Sequence, residues 1–333
     1  MYQLFIGVDV SKDWIDAAIW NDGSTSILGN YSNCPGGFKK LIKAIVSRSD
    51  LDQSKWFICF ENTGSYSKGL LYWLLQKSIP CKEENAIQIS RSKGLVRGKD
   101  DKIDSHSICM YAYRHKDVLR PTPLPDQSIV QLKKLLSRRT FLVRQRASLK
   151  TSLKDQSQEF TADFFETLKT QNSELIELYT SQIKALEEFI DELIKRDDQL
   201  QQNCSLVRSV IGIGPIIAWH MIAYTNNFKS FDNSRQFACY CGVAPFPHRS
   251  GKSYNARDRV HYLANKQIKA LLSNGANTAV LADPELKKYY QKKREEGKSY
   301  GTALNAVKNK LIARAFAVVK RQSPFVPMMK YAS

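Results

Sequence analysis

The amino-acid sequence predicts an α/β domain at the N-terminus, then a helical, coiled-coil middle segment, then a mainly α C-terminal domain. Three observations carry this expectation. Over roughly the first 115 residues, short apolar runs alternate with segments of helical spacing. A proline-rich break, Pro121 to Pro125, ends that pattern and reads as a linker. Beyond it the spacing is helical almost throughout, and a heptad seam appears. The expected divisions are residues 1–120, 126–202 and 203–333.

Taken in order, "YQLFIGVDV" reads as a buried strand and "WIDAAIW" as a second. "GGFKKLIKAIVSR" has helical spacing, "KWFICFEN" is an apolar strand, and "SYSKGLLYWLLQK" is a helix. "IPCKEENA" suits a further strand, and "DDKIDSHSICMYAYRH" returns to helix. Strands first, then alternation, predict a mixed sheet covered by helices. After the linker, residues 127–154 carry eight basic side chains and no acidic one: Lys133, Lys134, Arg138, Arg139, Arg144, Arg146, Lys150 and Lys154. Leu132, Leu136, Val143, Leu149 and Leu153 give the same helix an apolar side. Ile176, Tyr179, Ile183, Leu186, Ile190 and Leu193 then follow a 3-4-3-4-3 spacing, which predicts helix pairing within a hairpin or between subunits. Leu200 continues the register, but Asp197 falls on a core position and weakens that end. "LVRSVIGIGPIIAWHMIAY" has a tight turn at Gly212 and Gly214 opening a helix. It reads either as a phosphate-holding turn or as a plain helix–helix connection. An amphipathic helix through Leu304, Val307, Leu311, Ala315 and Val318 closes the pattern.

Composition narrows the function. The 333 residues, 43% of them hydrophobic, suffice for two or three cores. Lys and Arg number 50 against 32 Asp and Glu, a net charge of +18. So basic a chain, with its cations clustered, points to a polyanion partner, with nucleic acid first. Seven cysteines, an odd number without a Cys-x-x-Cys pair, argue against a disulfide framework or zinc ribbon and suit a reducing cytoplasm. The N-terminus runs into a strand-like stretch rather than a signal peptide. The longest weakly charged run, Val210 to Tyr224, is too short and too broken to span a bilayer.

Two apolar strands each carry one acid, Asp9 in "LFIGVDV" and Glu61 in "WFICFEN". A carboxylate in such a setting needs a partner or a metal. Asp101 and Asp104, three apart, share one side of a helix, and Asp100 and Asp104 are spaced to do the same. Hard divalent ions prefer carboxylate oxygens, so four acids from two strands and one helix suit Mg²⁺, as a two-ion site, with Mn²⁺ an able substitute.

"GVDVSK" with Asp9, "FENTG" with Glu61 and "GKDDKIDS" with Asp101 and Asp104 resemble the Asp-Glu-Asp-Asp set of RuvC-like, RNase H-type nuclease domains. Their order resembles the insertion-sequence transposases of the one-ten family, relatives of pilin-gene inverting recombinases. "IGIGPIIAWHMIA", "FKSFDNSRQFACYCGVAPFPHRSGKS" and "ALNAVKNKLIARAFAVVK" are similar to that family's C-terminal transposase domain. The resemblance runs nearly end to end. Asp100 beside Asp101 leaves the third acid ambiguous by one residue, and Val243 and Ala264 replace the family's more usual Leu and Gly.

"HRSGKS", His248 to Ser253, ends like a phosphate-binding loop. Such a loop needs glycine five residues before Gly251, where Phe246 stands between Pro245 and Pro247, so a nucleotide cradle is excluded. Arg249, Lys252, Arg257 and Arg259 supply charge for a scissile phosphate. Locally, a nucleophilic serine and a phosphate-contacting turn remain equal alternatives. The resemblance implies that Ser250 attacks DNA to form a covalent link, with Ser253 as the fallback. It further implies a bacterial cytoplasmic enzyme acting on donor and target DNA with a structured bridge RNA as guide. The site it implies is built from two subunits of a homodimer or homotetramer. A second hypothesis is a metal-dependent, junction-resolving or RNase H-like nuclease using water. A third is a non-catalytic nucleic-acid-binding protein.

Overall fold

A computed structural model describes residues 2–21, 23–92, 101–156, 162–244, 246–250, 254–260 and 262–327, with the backbone alone at 101–103, 156, 162–164, 246–250 and 254–259. The chain divides into two compact units, Met1–Leu124 and Pro125–Ser333.

The first unit is built on β1 (Leu4–Val10), β2 (Trp14–Asn21), β3 (Ser24–Ser32), α1 (Pro35–Val46), β4 (Trp56–Glu61), α2 (Ser65–Gln76), β5 (Cys81–Glu84), α3 (Ala86–Ser92) and α4 (Asp101–Arg114). The five strands form one sheet in the order β3-β2-β1-β4-β5. The β1–β2 and β2–β3 pairs are antiparallel, whereas β1–β4 and β4–β5 are parallel. Ser11 closes the first hairpin, its N–H and hydroxyl both donating to the Trp14 carbonyl at 2.9 Å.

β1 is apolar on both sides because both sheet faces are covered. Leu4, Ile6 and Val8 pack with Phe38 and Leu41 of α1 and Leu70 and Leu74 of α2. Phe5 packs on the opposite face with Phe57 and Cys59 of β4 and Ile108, Tyr111 and Ala112 of α4. Strand alternation therefore assigns Gly7 and Asp9 to the face that α4 covers, and Glu61 with them.

The second unit contains α5 (Gln127–Gln156), α6 (Ala162–Lys195), α7 (Asp198–Arg208), α8 (Pro215–Thr225), α9 (Ser234–Tyr240), β6 (Phe246–Ser250), β7 (Tyr254–Arg259), α10 (Lys266–Ala282), α11 (Pro284–Glu295) and α12 (Tyr300–Arg321). α5 and α6 pack along one another, with Leu132, Leu136, Ile190 and Leu193 in a common core. Ile183, Ile190 and Leu193 of the predicted seam are buried, while Ile176, Tyr179 and Leu186 are partly so. The seam does not run on to Leu200. Asp197 caps α7, accepting from the N–H groups of Gln199 and Leu200 at 3.0 Å, which starts a new helix. α8 is apolar around its whole circumference, with Ile217 to Ala223 buried, and forms the centre of this unit. Its His220 is held in a polar chain. The Gln267 amide donates to Thr140 Oγ1 at 2.7 Å and lies 3.1 Å from His220 Nε2, and Tyr224 donates to Gln267 Oε1 at 3.1 Å.

Candidate active site

Three of the four predicted acids are described to the backbone and side chain, and they gather at one end of the first unit's sheet. Asp9 is the penultimate residue of β1 and Glu61 the last of β4. Asp104 lies in the first turn of α4 and Asp101 begins that helix; the Asp101 side chain is outside the described residues, as is all of Asp100.

Gly7 explains how the helix comes close. A Cβ there would lie 2.1 Å from the Cys109 backbone nitrogen and 2.4 Å from the Ser105 carbonyl oxygen. α4 therefore rests directly on β1. Cys109 Sγ donates to the Phe5 carbonyl at 3.3 Å, and Tyr113 meets Phe5 edge-on at 5.7 Å. The C-terminal half of α4 thus lies over the start of β1. Its N-terminal turn, with Asp101 and Asp104, points toward the Asp9 end. Asp9, Glu61 and Asp104 are each half-buried.

Two further acids at this end were not foreseen. Glu84 pairs in register with Glu61, and its Oε2 accepts from the Tyr111 hydroxyl at 3.3 Å. The Tyr111 hydroxyl is correspondingly pushed up to about 12, by burial first and the Glu84 charge second. Asp16 faces Asp9 across the β1–β2 pair and accepts from Asn30 Nδ2 at 3.1 Å. For Glu84 the signal in the sequence was faint: "KEEN" has three charged residues in a row and no apolar frame to single out one acid.

Among the described residues no group of three or more His, Cys, Asp or Glu side chains is placed to hold a metal ion by itself. The donors that share this face are all carboxylates, the chemistry of a hard divalent ion. Mg²⁺ takes few protein ligands and completes its shell with water and substrate phosphate, so an open carboxylate end fits it better than a cage. Cys59 of β4 and Cys109 of α4 are buried between the sheet and that helix, and burial holds the Cys109 thiol up at about 12, so neither offers a ready thiolate ligand.

In the second unit, Ser250 is the last residue of β6, paired with Tyr254 of β7; Arg249 pairs with Asn255 and His248 with Ala256. Arg249 and Arg257 lie on this hairpin, with side chains outside the described residues, and Lys252 and Ser253 lie wholly outside them. The strand that leads into "SGKS", "FPHRS", holds no Val or Ile of the kind that precedes a nucleotide loop, and the chain returns in the antiparallel strand β7. The next described element is β7 and not a helix, whose dipole a nucleotide loop exploits. The root of the hairpin is fixed. Gly242 adopts φ +64°, and a Cβ there would meet Ala264 Cβ and Val260 Cγ1 at 2.7 Å. Asn265 donates to the Tyr240 carbonyl at 2.9 Å and the Tyr240 hydroxyl at 3.1 Å.

The predicted glycine turn borders a groove of about 760 Å³ that also takes in Arg139, Arg208, Asn274 and Thr278. Gly212, at φ +93°, packs on α10: a Cβ would lie 2.6 Å from the Gly275 carbonyl oxygen. Gly214 caps α8 with open space around its Cα, so the unpaired N–H groups of the first turn of α8 border the groove. Of the basic side chains on α5, Lys134, Arg138 and Arg144 are exposed, as is Lys133. Arg139 instead bonds Glu187 of α6 at 2.6 Å, and Arg146 donates to Thr180 at 3.1 Å, so both tie the two long helices together. Arg208 and Lys266, which the sequence did not single out, add exposed cations on either side of the same surface.

Comparison with known proteins matches both parts of the chain to transposases. Residues 6–161 match a family model for the DEDD transposase of IS110, and residues 204–291 match one for the transposase IS116/IS110/IS902 family. Both are transposase domains, so the chain is an enzyme of DNA recombination and transposition, with DNA as its substrate. It belongs to the IS110/IS116/IS902 transposase family. Relatives include the pilin gene-inverting proteins of Moraxella lacunata and Moraxella bovis, each 24% identical over 98% of both chains. The transposase of insertion sequence IS1111A from Coxiella burnetii is 24% identical over 68% of both chains. DEDD transposases use a divalent metal. No helix among the described residues is long and apolar enough to cross a membrane.

Proposed function

We propose that the protein cuts and rejoins DNA through a covalent serine–DNA intermediate, with Ser250 as nucleophile and Asp9, Glu61, Asp101 and Asp104 as the metal-binding set. The observation that carries this is the Gly7 approach. It lets the α4 acids reach the same sheet end as Asp9 and Glu61 within the segment that matches DEDD transposases. The sheet order, with three antiparallel strands extended by two parallel ones, supports a RuvC-like, RNase H-type domain. The α5–α6 pair supports a coiled-coil segment between it and the serine domain, with the divisions near residues 120 and 202.

Asp9, Glu61, Asp101 and Asp104 would hold Mg²⁺, which would supply positive charge beside the scissile phosphate. Ser250 Oγ forms a bond to that phosphorus as its proton leaves, and the bond to one deoxyribose oxygen breaks. The departing oxygen takes up a proton, and the phosphoserine diester conserves the bond energy. A hydroxyl from a second strand reverses the step, so no phosphodiester is hydrolysed overall. Arg249, Lys252 and Arg257 neutralise the phosphate beside the serine. Lys133, Lys134, Arg138 and Arg144, with the Gly212–Gly214 turn, hold more distant backbone phosphates, while Arg139 and Arg146 set the helix that presents them. The acidic unit of one subunit serves the serine of another within a homodimer or homotetramer, in the bacterial cytoplasm. A bridge RNA encoded with the element pairs with donor and target DNA.

Protein, Mg²⁺, guide RNA and labelled DNA, denatured after reaction, separate the possibilities. Protein-linked DNA that disappears in Ser250→Ala and in Asp9→Ala is the expected result. Free cleaved ends, undiminished in Ser250→Ala, would instead establish a nuclease that uses water. Binding without cleavage, unchanged in Asp9→Ala, would establish a binding protein.

A further inference from the structure

The first unit has a concave site at the end of the sheet away from Asp9 and Glu61. It is a cavity of about 630 Å³ formed by residues just before β1, the end of β2, the turn after α1 and the end of α4. Its volume is that of a ligand site, roughly 300–1,000 Å³. Gln3 lines it and Asp9 lies six residues further along β1, so the two places are separated by roughly 20 Å at ~3.3 Å per residue.

The lining is specific in kind. Trp20 and Tyr113 both contribute, stacked on each other with centroids 3.7 Å apart and planes at 20°. Both rings are half-buried, held from below by Phe5 at 6.0 and 5.7 Å. Two cations line the cavity. Arg48 is exposed, and Lys116 Nζ sits 4.8 Å from the Tyr113 ring centroid. Asn21 and Asp50 add an amide and a carboxylate to the rim. A fold that needed only a packed core would not leave indole, phenol, guanidinium and ammonium groups around an open cavity.

We propose that this cavity binds one unpaired nucleotide of a nucleic-acid strand. An aromatic platform takes a base by stacking, and flanking cations take its phosphate. Asn21 and Asp50 meet the polar edge of the base, which offers N–H donors that a carboxylate accepts. A base inside a duplex cannot enter, because its edge is paired and its faces are covered by neighbours. The site therefore reads single-stranded segments, of RNA or DNA, while the basic surfaces of the second unit meet phosphates in either state. This inference rests on nucleic acid being the substrate, not on the serine chemistry.

The test uses the full chain and fluorescein-labelled oligonucleotides in three arms: single-stranded RNA, single-stranded DNA and duplex DNA. Arg48→Ala/Lys116→Ala and, separately, Tyr113→Leu are compared with the native chain by anisotropy. We expect each variant to weaken at least one single-stranded arm by about ten-fold and to leave the duplex arm within about two-fold. The arm that responds identifies the strand. Photocrosslinking with 4-thiouracil in that strand is expected to mark the peptides carrying Trp20 or Tyr113. The Arg48/Lys116 pair is exposed or half-buried, so the double variant stays folded even if Tyr113→Leu does not. Equal loss in all arms, or no loss in any, overturns the inference while leaving DNA binding intact; absence of all binding in the native chain overturns the nucleic-acid premise itself.

Discussion

Gly7 has no side chain, and the candidate site depends on that fact. With the Cys109 nitrogen and the Ser105 carbonyl occupying the space of a Cβ, even alanine forces α4 away from β1. Overpacking of this kind costs about 1–3 kcal/mol. Displacement by an ångström also separates Asp104 from Asp9, and misplacement on that scale can reduce rate by about 100-fold. Gly7→Ala is therefore expected to lose DNA cleavage far out of proportion to its loss of stability. Gly301→Ala, where a Cβ meets nothing within 4 Å, is expected to be neutral in both. Parallel strand-cleavage and denaturant-unfolding measurements check this. The residue scale is also where the sequence was most informative. Asp9 and Glu61 stood out because a lone acid in an apolar strand is costly. Gly7 did not, because nothing local shows that a helix from a hundred residues later will lie upon it.

Elements of the second unit are joined by buried polar links as well as apolar packing. Thr140 of α5, His220 and Tyr224 of α8 and Gln267 of α10 form one hydrogen-bonded chain. His220 Nδ1 lies 2.8 Å from the Ile216 carbonyl, so the neutral ring donates there and accepts the Gln267 amide at Nε2. Burial, chiefly, and the Arg139 charge hold His220 below its usual pKa of 6.5, opposed by the Ile216 bond. A base with a depressed folded pKa binds fewer protons folded than unfolded between the two values. Stability is therefore full above pH 6.5 and falls as the pH drops below it toward the folded pKa. Chemical denaturation at pH 7.5 and pH 5.5 is expected to show this loss, and His220→Gln is expected to flatten it. A chain like this one joins residues from three helices and left no trace in any single stretch of sequence. The long helices were legible, because their seam repeats over many turns. The end of the seam was not: Asp197 looked like a flaw in one helix and is the cap of the next. The β6–β7 hairpin was also hidden, since "FPHRS" and "YNARDR" lack the apolar alternation that marks a half-buried strand.

At the scale of the whole molecule, 50 basic and 32 acidic residues give a net charge of +18, and the exposed cations of α5, Arg208 and Lys266 all lie on the second unit. A protein that neutralises six to ten phosphates loses about 10³–10⁵ in affinity between 50 and 200 mM salt. Binding to duplex DNA is expected to fall that steeply, as read by anisotropy across a salt series; a flat response would mean few phosphates are met. In the proposed mechanism the two units carry complementary halves of one reaction, carboxylates in the first and the serine hairpin in the second. Whether both act on one phosphate is the central claim. Its most direct test is to trap the reaction, digest the DNA and the protein, and locate the nucleotide-bearing peptide by mass spectrometry. A phosphodiester on Ser250 that forms only with divalent metal, and is lost in Asp9→Ala, is the predicted result. Cleaved DNA with no adduct, or an adduct on Ser253 that persists in Ser250→Ala, would contradict it.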